Sequence, residues 1–225
     1  VSERLNKYLA LQLGISRREA DALIEHGHVK VNGTKAILGA RLEDGDAISV
    51  KNKPVSGGRG YEYIVLHKPA GYVSSRRPQG ETPTIYELLP KDLHALKPVG
   101  RLDKDSSGLI LLTNDGDFAY HMTHPKFHKI KAYEVTLDRA LEPLHHQIIS
   151  DHGIELPDGN SKLILEKQND SARDWTVTMH EGRNRQIRRT FGALGYTVEK
   201  LHRTDFGPYT LGSLKEGEHT PTERR

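Results

Sequence analysis

The stretch Gly100-Arg101-Leu102-Asp103-Lys104-Asp105-Ser106-Ser107-Gly108-Leu109-Ile110-Leu111-Leu112-Thr113-Asn114-Asp115-Gly116 decides how this chain reads. Its second half is an apolar run, Leu109 to Leu112, closed by the turn residues Asn114, Asp115 and Gly116. A short apolar run bounded by such residues predicts a strand buried on both faces. Its first half is polar, so Asp103 is delivered to the mouth of that strand. A carboxylate there is rigid on one side and open on the other, as a reacting group must be. Asp and Ser also close turns by bonding to their own backbone, and the stretch alone leaves both readings open.

The 225 residues suffice for one large domain or for a small and a medium one. Hydrophobic residues make up 35% and charged residues 28%, which favours a solvated, two-part molecule. Lys and Arg total 33 against 30 for Asp and Glu, so the distribution of charge carries more information than the net +3. The absence of cysteine excludes disulfides, thiolate metal sites and a cysteine nucleophile. No run approaches the ~18 apolar residues of a membrane span, and no signal-peptide core opens the sequence. A cytoplasmic protein with no membrane partner is expected.

Upstream, Leu5, Tyr8, Leu9 and Leu13 recur at helical spacing, and Gly14 ends that helix. Ser16-Arg17-Arg18-Glu19 has the form of a capping box opening a second helix with Ala20, Leu23 and Ile24 on its apolar face. Arg17 and Arg18 in its first turn oppose the helix dipole, and a bound phosphate would be favoured by both. Val29 and Val31 predict a strand, Asn32-Gly33 a hairpin turn, and Ala47 to Val50 a further strand. Residues 1–50 carry seven Lys plus Arg and seven Asp plus Glu, yet Arg4, Lys7, Arg17, Arg18 and Lys30 can gather on one side. The run Arg4 to Leu9, the Ser16 to Ala20 helix start, Gly27-His28-Val29-Lys30-Val31-Asn32-Gly33 and Gly45-Asp46 resemble the S-four RNA-binding module. That resemblance implies phosphate and shape contacts to structured RNA through Arg4, Lys7, Ser16, Arg17, Arg18 and Lys30.

Residues 51–60 have the composition of a flexible basic linker, and 61–225 form the second domain. There, residues from Tyr61 to Leu66 predict a strand, Pro83 to Leu89 a short helix, and Asp117 to His124 a helix halted by Pro125. Lys131 to Leu137 alternates as a strand with Tyr133 on the face of Val135 and Leu137. Tyr133 is thus a core aromatic or an apolar platform for a base. His121, His124 and His128 straddle Pro125 without an acidic ligand set, so no metal is expected, and His145-His146 reads as surface. From His180 to Arg203 there are six Lys plus Arg against two Asp plus Glu. Four arginines within 183–189 suit phosphates or a buried carboxylate, on a helix running to Gly195.

Gly100-Arg101-Leu102-Asp103 with Gly108 to Gly116, Lys131-Ala132-Tyr133, Glu181 to Arg189, and Leu201-His202-Arg203 with Gly207-Pro208 together resemble the pseudouridine synthases. Within them the chain is similar to the branch related to the small-subunit rRNA enzyme, which carries an S-four module in front. The resemblance implies an α+β fold: a small RNA-binding domain, then a larger, mainly antiparallel mixed sheet. It implies an enzyme that isomerises a uridine of structured RNA, with ribosomal RNA or a ribosome-assembly intermediate as partner, acting as a monomer. The reaction has no redox step and demands no cofactor.

By that resemblance Asp103 is the reacting carboxylate, as nucleophile on base or sugar or as a base at the sugar, alternatives the sequence leaves open. Arg188 is expected to pair with it and hold it ionised, and Tyr133 to stack under the ring. Leu102 and Ile187 are expected to pack around the base, with Arg101 beside the flipped nucleotide. Arg183, Arg185 and Arg189 are expected on backbone phosphates. Two other classes compete: a non-catalytic RNA-binding assembly factor, which would not need Asp103, and a glycosidase pairing Asp103 with Asp105. Ser106-Ser107-Gly108 argues for a turn rather than an extended segment, and that leaves Asp105 as a turn residue.

Overall fold

The computed structural model describes residues 2–225, which divide into two compact units meeting between Glu62 and Tyr63 in sequence. In the first, helix Leu5–Leu13 is closed by Gly14 at φ 67°, whose N–H donates to the Ala10 carbonyl. Helix Arg17–Glu25 opens on the expected capping box: the Glu19 N–H donates to Ser16 Oγ (3.1 Å) and the Ser16 N–H to Glu19 Oε2 (2.6 Å). Both helices bury one apolar stripe, Leu5 and Leu9 meeting Ala20 and Ile24 over Val29, Leu42 and Ile48.

An antiparallel pair, Glu3–Arg4 with Arg41–Leu42, and a four-stranded sheet complete the unit, the sheet in the order Thr34–Lys35, Val29–Val31, Ile48–Val50, Lys53–Pro54. The last of these lies inside the segment expected to be a free linker. Lys51 and Asn52 both adopt positive φ (51° and 62°), the two-residue turn whose twist matches antiparallel strands. The chain therefore folds back, pairing Ser49 with Pro54 and Val50 with Lys53, and Val55 packs on the unit's core.

The second unit is built on a nine-stranded sheet. Its main path runs Ile164–Lys167, Asp174–Met179, Lys131–Leu137, Val198–Phe206, Ser107–Thr113, Tyr63–Lys68, His219–Pro221. One pairing on this path is parallel, between Val198–Phe206 and Ser107–Thr113, and it joins two antiparallel halves. Every residue of Ser107–Thr113 is buried, as expected for its apolar run. Ile110 and Leu112 face one core with Ile85, Tyr133, Ile187 and Phe191, while Leu109 and Leu111 face another with Phe118, Met122 and Tyr209.

At the parallel junction Gly108 lies opposite Arg203 with φ 108°. A Cβ there would fall 2.2 Å from the Arg203 carbonyl oxygen, so only glycine lets these strands meet.

Helix Gly116–Thr123 is capped by Asp115, whose carboxylate accepts from the N–H groups of Asp117 and Phe118. The short helix after Pro83 is a 3₁₀ turn, Ile85–Leu88. The arginine-rich segment enters its helix later than expected: Gln186–Ala193 is helical, and Arg185 precedes it at φ 47°. The His145-His146 pair is not bare surface. It lies in helix Pro143–Gln147, with His145 Nδ1 2.8 Å from Tyr196 Oη and the His146 ring stacked on Trp175 at 5.2 Å.

Candidate active site

The loop from Gly100 to Ser106 enters strand Ser107–Thr113 beside the parallel junction, and its backbone is held at five consecutive carbonyls. Ser74 Oγ donates to the Leu102 carbonyl (2.9 Å) and accepts from the Leu102 N–H (3.1 Å). Lys68 Nζ donates to the carbonyls of Asp103 (3.1 Å) and Ser106 (2.6 Å), and to that of Pro69 (3.0 Å). The Gly71 N–H takes the Lys104 carbonyl (2.7 Å), and Arg188 Nη2 that of Asp105 (2.8 Å). Lys68 is completely buried, and burial pushes its ammonium down to about 8, a shift that the nearby charges of Asp103 and Asp105 oppose. The loop is thus a fixed frame from which the Asp103 side chain projects.

Asp103 faces a cavity of about 280 Å³ that is also lined by Arg101, Leu102, Tyr133, Ile187, Lys131 and Arg203. Leu102, Ile187 and Tyr133 are buried and make its apolar wall, and Tyr133 projects to the buried face of its strand as the alternation required. Arg101 is exposed at the rim and forms no ion pair among the described residues.

The arginines are arranged differently from expectation. Arg185 reaches both carboxylates: its guanidinium grips Asp105 with two hydrogen bonds (3.0 and 2.9 Å), and its Nη1 lies 3.6 Å from Asp103 Oδ2. Arg188, expected on Asp103, instead places Nε 3.3 Å from Asp105 Oδ2, without hydrogen-bond alignment. Its Nη1 is anchored on the Val198 carbonyl (2.6 Å), which holds the guanidinium at Asp105. Asp105 is therefore more than a turn residue. The hydrogen bond from Arg185, against the opposing effect of burial, holds its carboxyl below the usual carboxylate range. A glycosidic acid needs the opposite shift, so Asp105 does not fit as the acid of a glycosidase pair.

Arg183 and Arg189, expected on RNA phosphates, are committed within the protein. Arg189 makes a two-pronged pair with Asp158 (2.9 and 2.7 Å). Arg183 donates to the carbonyls of Asp158, Gly159 and Asn160 and pairs with Asp158 and Glu181. These arginines brace the Ile154–Leu156 and Gly159–Ser161 hairpin against the helix.

In the first unit, Arg17 and Arg18 are exposed and form no ion pair or hydrogen bond among the described residues, and Arg4 is exposed. Lys7 pairs with Glu3 at 3.6 Å, Lys30 donates to Asn52 Oδ1 (3.1 Å), and the Ser16 hydroxyl is occupied by its capping role.

Sequence reasoning missed Lys68, Ser74 and the engagement of Asp105. Lys68 is set by its register with Gly108 across antiparallel strands, and no local pattern marks it.

Comparison with known proteins matches this architecture. The RNA pseudouridylate synthase family pattern covers residues 62–193, and the S4 domain pattern covers residues 3–48. The chain is 36% identical over 230 residues to ribosomal large subunit pseudouridine synthase B of Bacillus subtilis (strain 168), covering 98% of this chain and 93% of that protein. It is 36% identical over 219 residues to ribosomal small subunit pseudouridine synthase A of Vibrio parahaemolyticus (95% and 92%). A crystal structure of a pseudouridylate synthase superposes with a TM-score of 0.69 at 33% identity, over 98% of this chain and 96% of that one. The chain belongs to the RNA pseudouridylate synthase family, an RNA-modifying isomerase of α+β fold that carries an S4 domain ahead of its catalytic domain.

Proposed function

We propose that this enzyme isomerises a uridine of ribosomal RNA, in the large subunit ahead of the small, and that Asp103 is the carboxylate that carries the reaction. The observation that supports this assignment is the frame of held carbonyls from 102 to 106. It leaves the Asp103 side chain as the loop's one carboxylate facing the cavity, opposite the apolar wall of Leu102, Ile187 and Tyr133. The base lies against Tyr133, the bond from ribose to N1 breaks, and the uracil turns so that C5 takes the sugar. C5 gives up its proton and N1 gains one, so the reaction balances without an oxidant or reductant. Asp103 acts as nucleophile or base in that sequence, and Tyr133 is the candidate for removing the C5 proton.

Arg185 sets its positive charge 3.6 Å from the Asp103 carboxylate and orients it, and Arg188 acts at one remove by holding Asp105. Arg101 at the rim lies beside the flipped nucleotide. The exposed Arg4, Arg17 and Arg18 of the S4 domain, with Lys7 and Lys30, meet RNA phosphates. Among the described residues no helix is long and apolar enough to cross a membrane. We place the enzyme in the cytoplasm as a monomer acting on ribosomal RNA or an assembly intermediate. The test is Asp103→Asn, assayed for pseudouridine formation and RNA affinity, together with pseudouridine mapping of rRNA from cells lacking the gene. Loss of isomerisation with affinity retained is expected, and isomerisation surviving the substitution rejects the assignment.

A further inference from the structure

Four cations that line the active-site cavity, Arg101, Lys129, Lys131 and Arg203, form no ion pair among the described residues. Two of them are deep. Arg203 is only 3% exposed, yet its Nε alone has a partner, the Leu109 carbonyl at 2.8 Å. Neither Nη atom is bonded, and Nη2 is fully enclosed. Lys131 Nζ reaches only the carbonyls of Lys129 (3.5 Å) and Glu181 (3.3 Å), both long contacts. The two cations share one ring, Lys131 Nζ lying 5.3 Å and Arg203 Cζ 4.9 Å from the Phe206 centroid. Burial, and next the charge of Arg203, push Lys131 down to about 8.

The nearby carboxylate of Glu181 opposes this only in part, because it is shared with other partners. Glu181 accepts from Gln186 and pairs with Arg183. A buried guanidinium beside a half-buried ammonium, neither with an ion-pair partner among the described residues, is costly unless an anion joins them. Arg203 is also the register partner of Tyr133 on the neighbouring strand, which places an anion there next to the aromatic wall.

We propose that Lys131 and Arg203 form an anion subsite that seats a phosphate group of the nucleotide whose base lies against Tyr133. This rests on Tyr133 being the base platform, and the test separates the two. Titrations of the full chain, followed by amide chemical shifts, use inorganic phosphate, uridine, uridine 3′-monophosphate and uridine 5′-monophosphate, with adenosine and adenosine 5′-monophosphate alongside. One uridine monophosphate is expected to bind about tenfold tighter than uridine, in line with charge-assisted hydrogen bonding. Inorganic phosphate should compete with it. Lys131→Gln should abolish the advantage and Lys131→Arg should retain it. Equal affinity of the wild-type protein for uridine and both its monophosphates overturns the proposal whatever the variants do. A phosphate advantage of the same size for adenosine, with no preference for uridine, supports the subsite and rejects Tyr133 as a uracil platform.

Discussion

Arg185 grips Asp105 through two hydrogen bonds of 3.0 and 2.9 Å while its Nη1 stands 3.6 Å from the Asp103 carboxylate. One guanidinium is therefore shared unequally between the carboxylate that aims it and the carboxylate it serves. Asp105→Asn removes the charge that fixes both Arg185 and Arg188. We expect kcat to fall roughly 10–100-fold with KM little changed, since a misplaced charge affects the transition state more than RNA binding. Asp105→Glu should recover part of the rate. Single-turnover kinetics would detect this, and an unchanged kcat would mean that Arg185 is positioned without Asp105.

Lys68 supplies the frame beneath Asp103, so its titration belongs to the stability of that frame. Its folded value of about 8 lies below the ordinary 10.5 of a lysine. Between those values the unfolded chain holds the extra proton, so stability rises with pH across the window. Lys131, also pushed to about 8, adds to the rise. Tyr63, Tyr86 and Tyr209 are raised by burial and act in the opposite sense above about 10. The clean window is therefore about pH 8–10. Lys68→Met strands three carbonyls and should cost roughly 2–4 kcal/mol at pH 7.5. It should also flatten the alkaline rise in urea midpoints. A rise of wild-type size in the variant would assign it to other groups.

What the sequence made legible is what short-range chemistry determines. The Ser16 and Glu19 capping box needs only two residues three apart, and the structure holds both of its hydrogen bonds. The two-faced burial of Leu109 to Leu112 follows from an apolar run between turns, and the inward Tyr133 from strand alternation. The partners of the arginines were not legible, because they are set across the fold. Arg185 meets Asp105 from 80 residues away, and Arg183 and Arg189 meet Asp158 from a separate hairpin. Charge density alone left phosphates or a buried carboxylate open for all three, and the family resemblance implied phosphates. A left-handed residue at Arg185, φ 47°, delays the helix by one turn's entry and sends that side chain, rather than Arg188, toward Asp103.

Gly108→Ala tests the parallel junction. Its φ of 108° is strained for any residue with a Cβ, and the added methyl would meet the Arg203 backbone at 2.2 to 2.8 Å. Backbone strain and overpacking together should cost roughly 2–5 kcal/mol, read as a lower urea midpoint. The displaced strand carries Arg203, so the phosphate advantage of uridine monophosphate should shrink in whatever fraction still folds. A midpoint within about 0.5 kcal/mol of wild type would show that the strands can separate without loss.

Arg17 and Arg18 test the division of labour between the domains. Both are exposed in the first turn of their helix, where their charges oppose the dipole and gain nothing from a protein partner. Arg17→Ala with Arg18→Ala should therefore leave folding unchanged or slightly improved. If they contact two phosphates, the slope of log affinity against log salt should fall by about 1–2. Affinity for a structured rRNA fragment should drop several-fold at low salt, and the single-turnover rate at saturating enzyme should stay at the wild-type value. A stability gain with an unchanged salt slope would mean that the unfavourable placement serves something other than RNA. A lost single-turnover rate would mean that the S4 domain positions the target uridine as well as capturing its RNA.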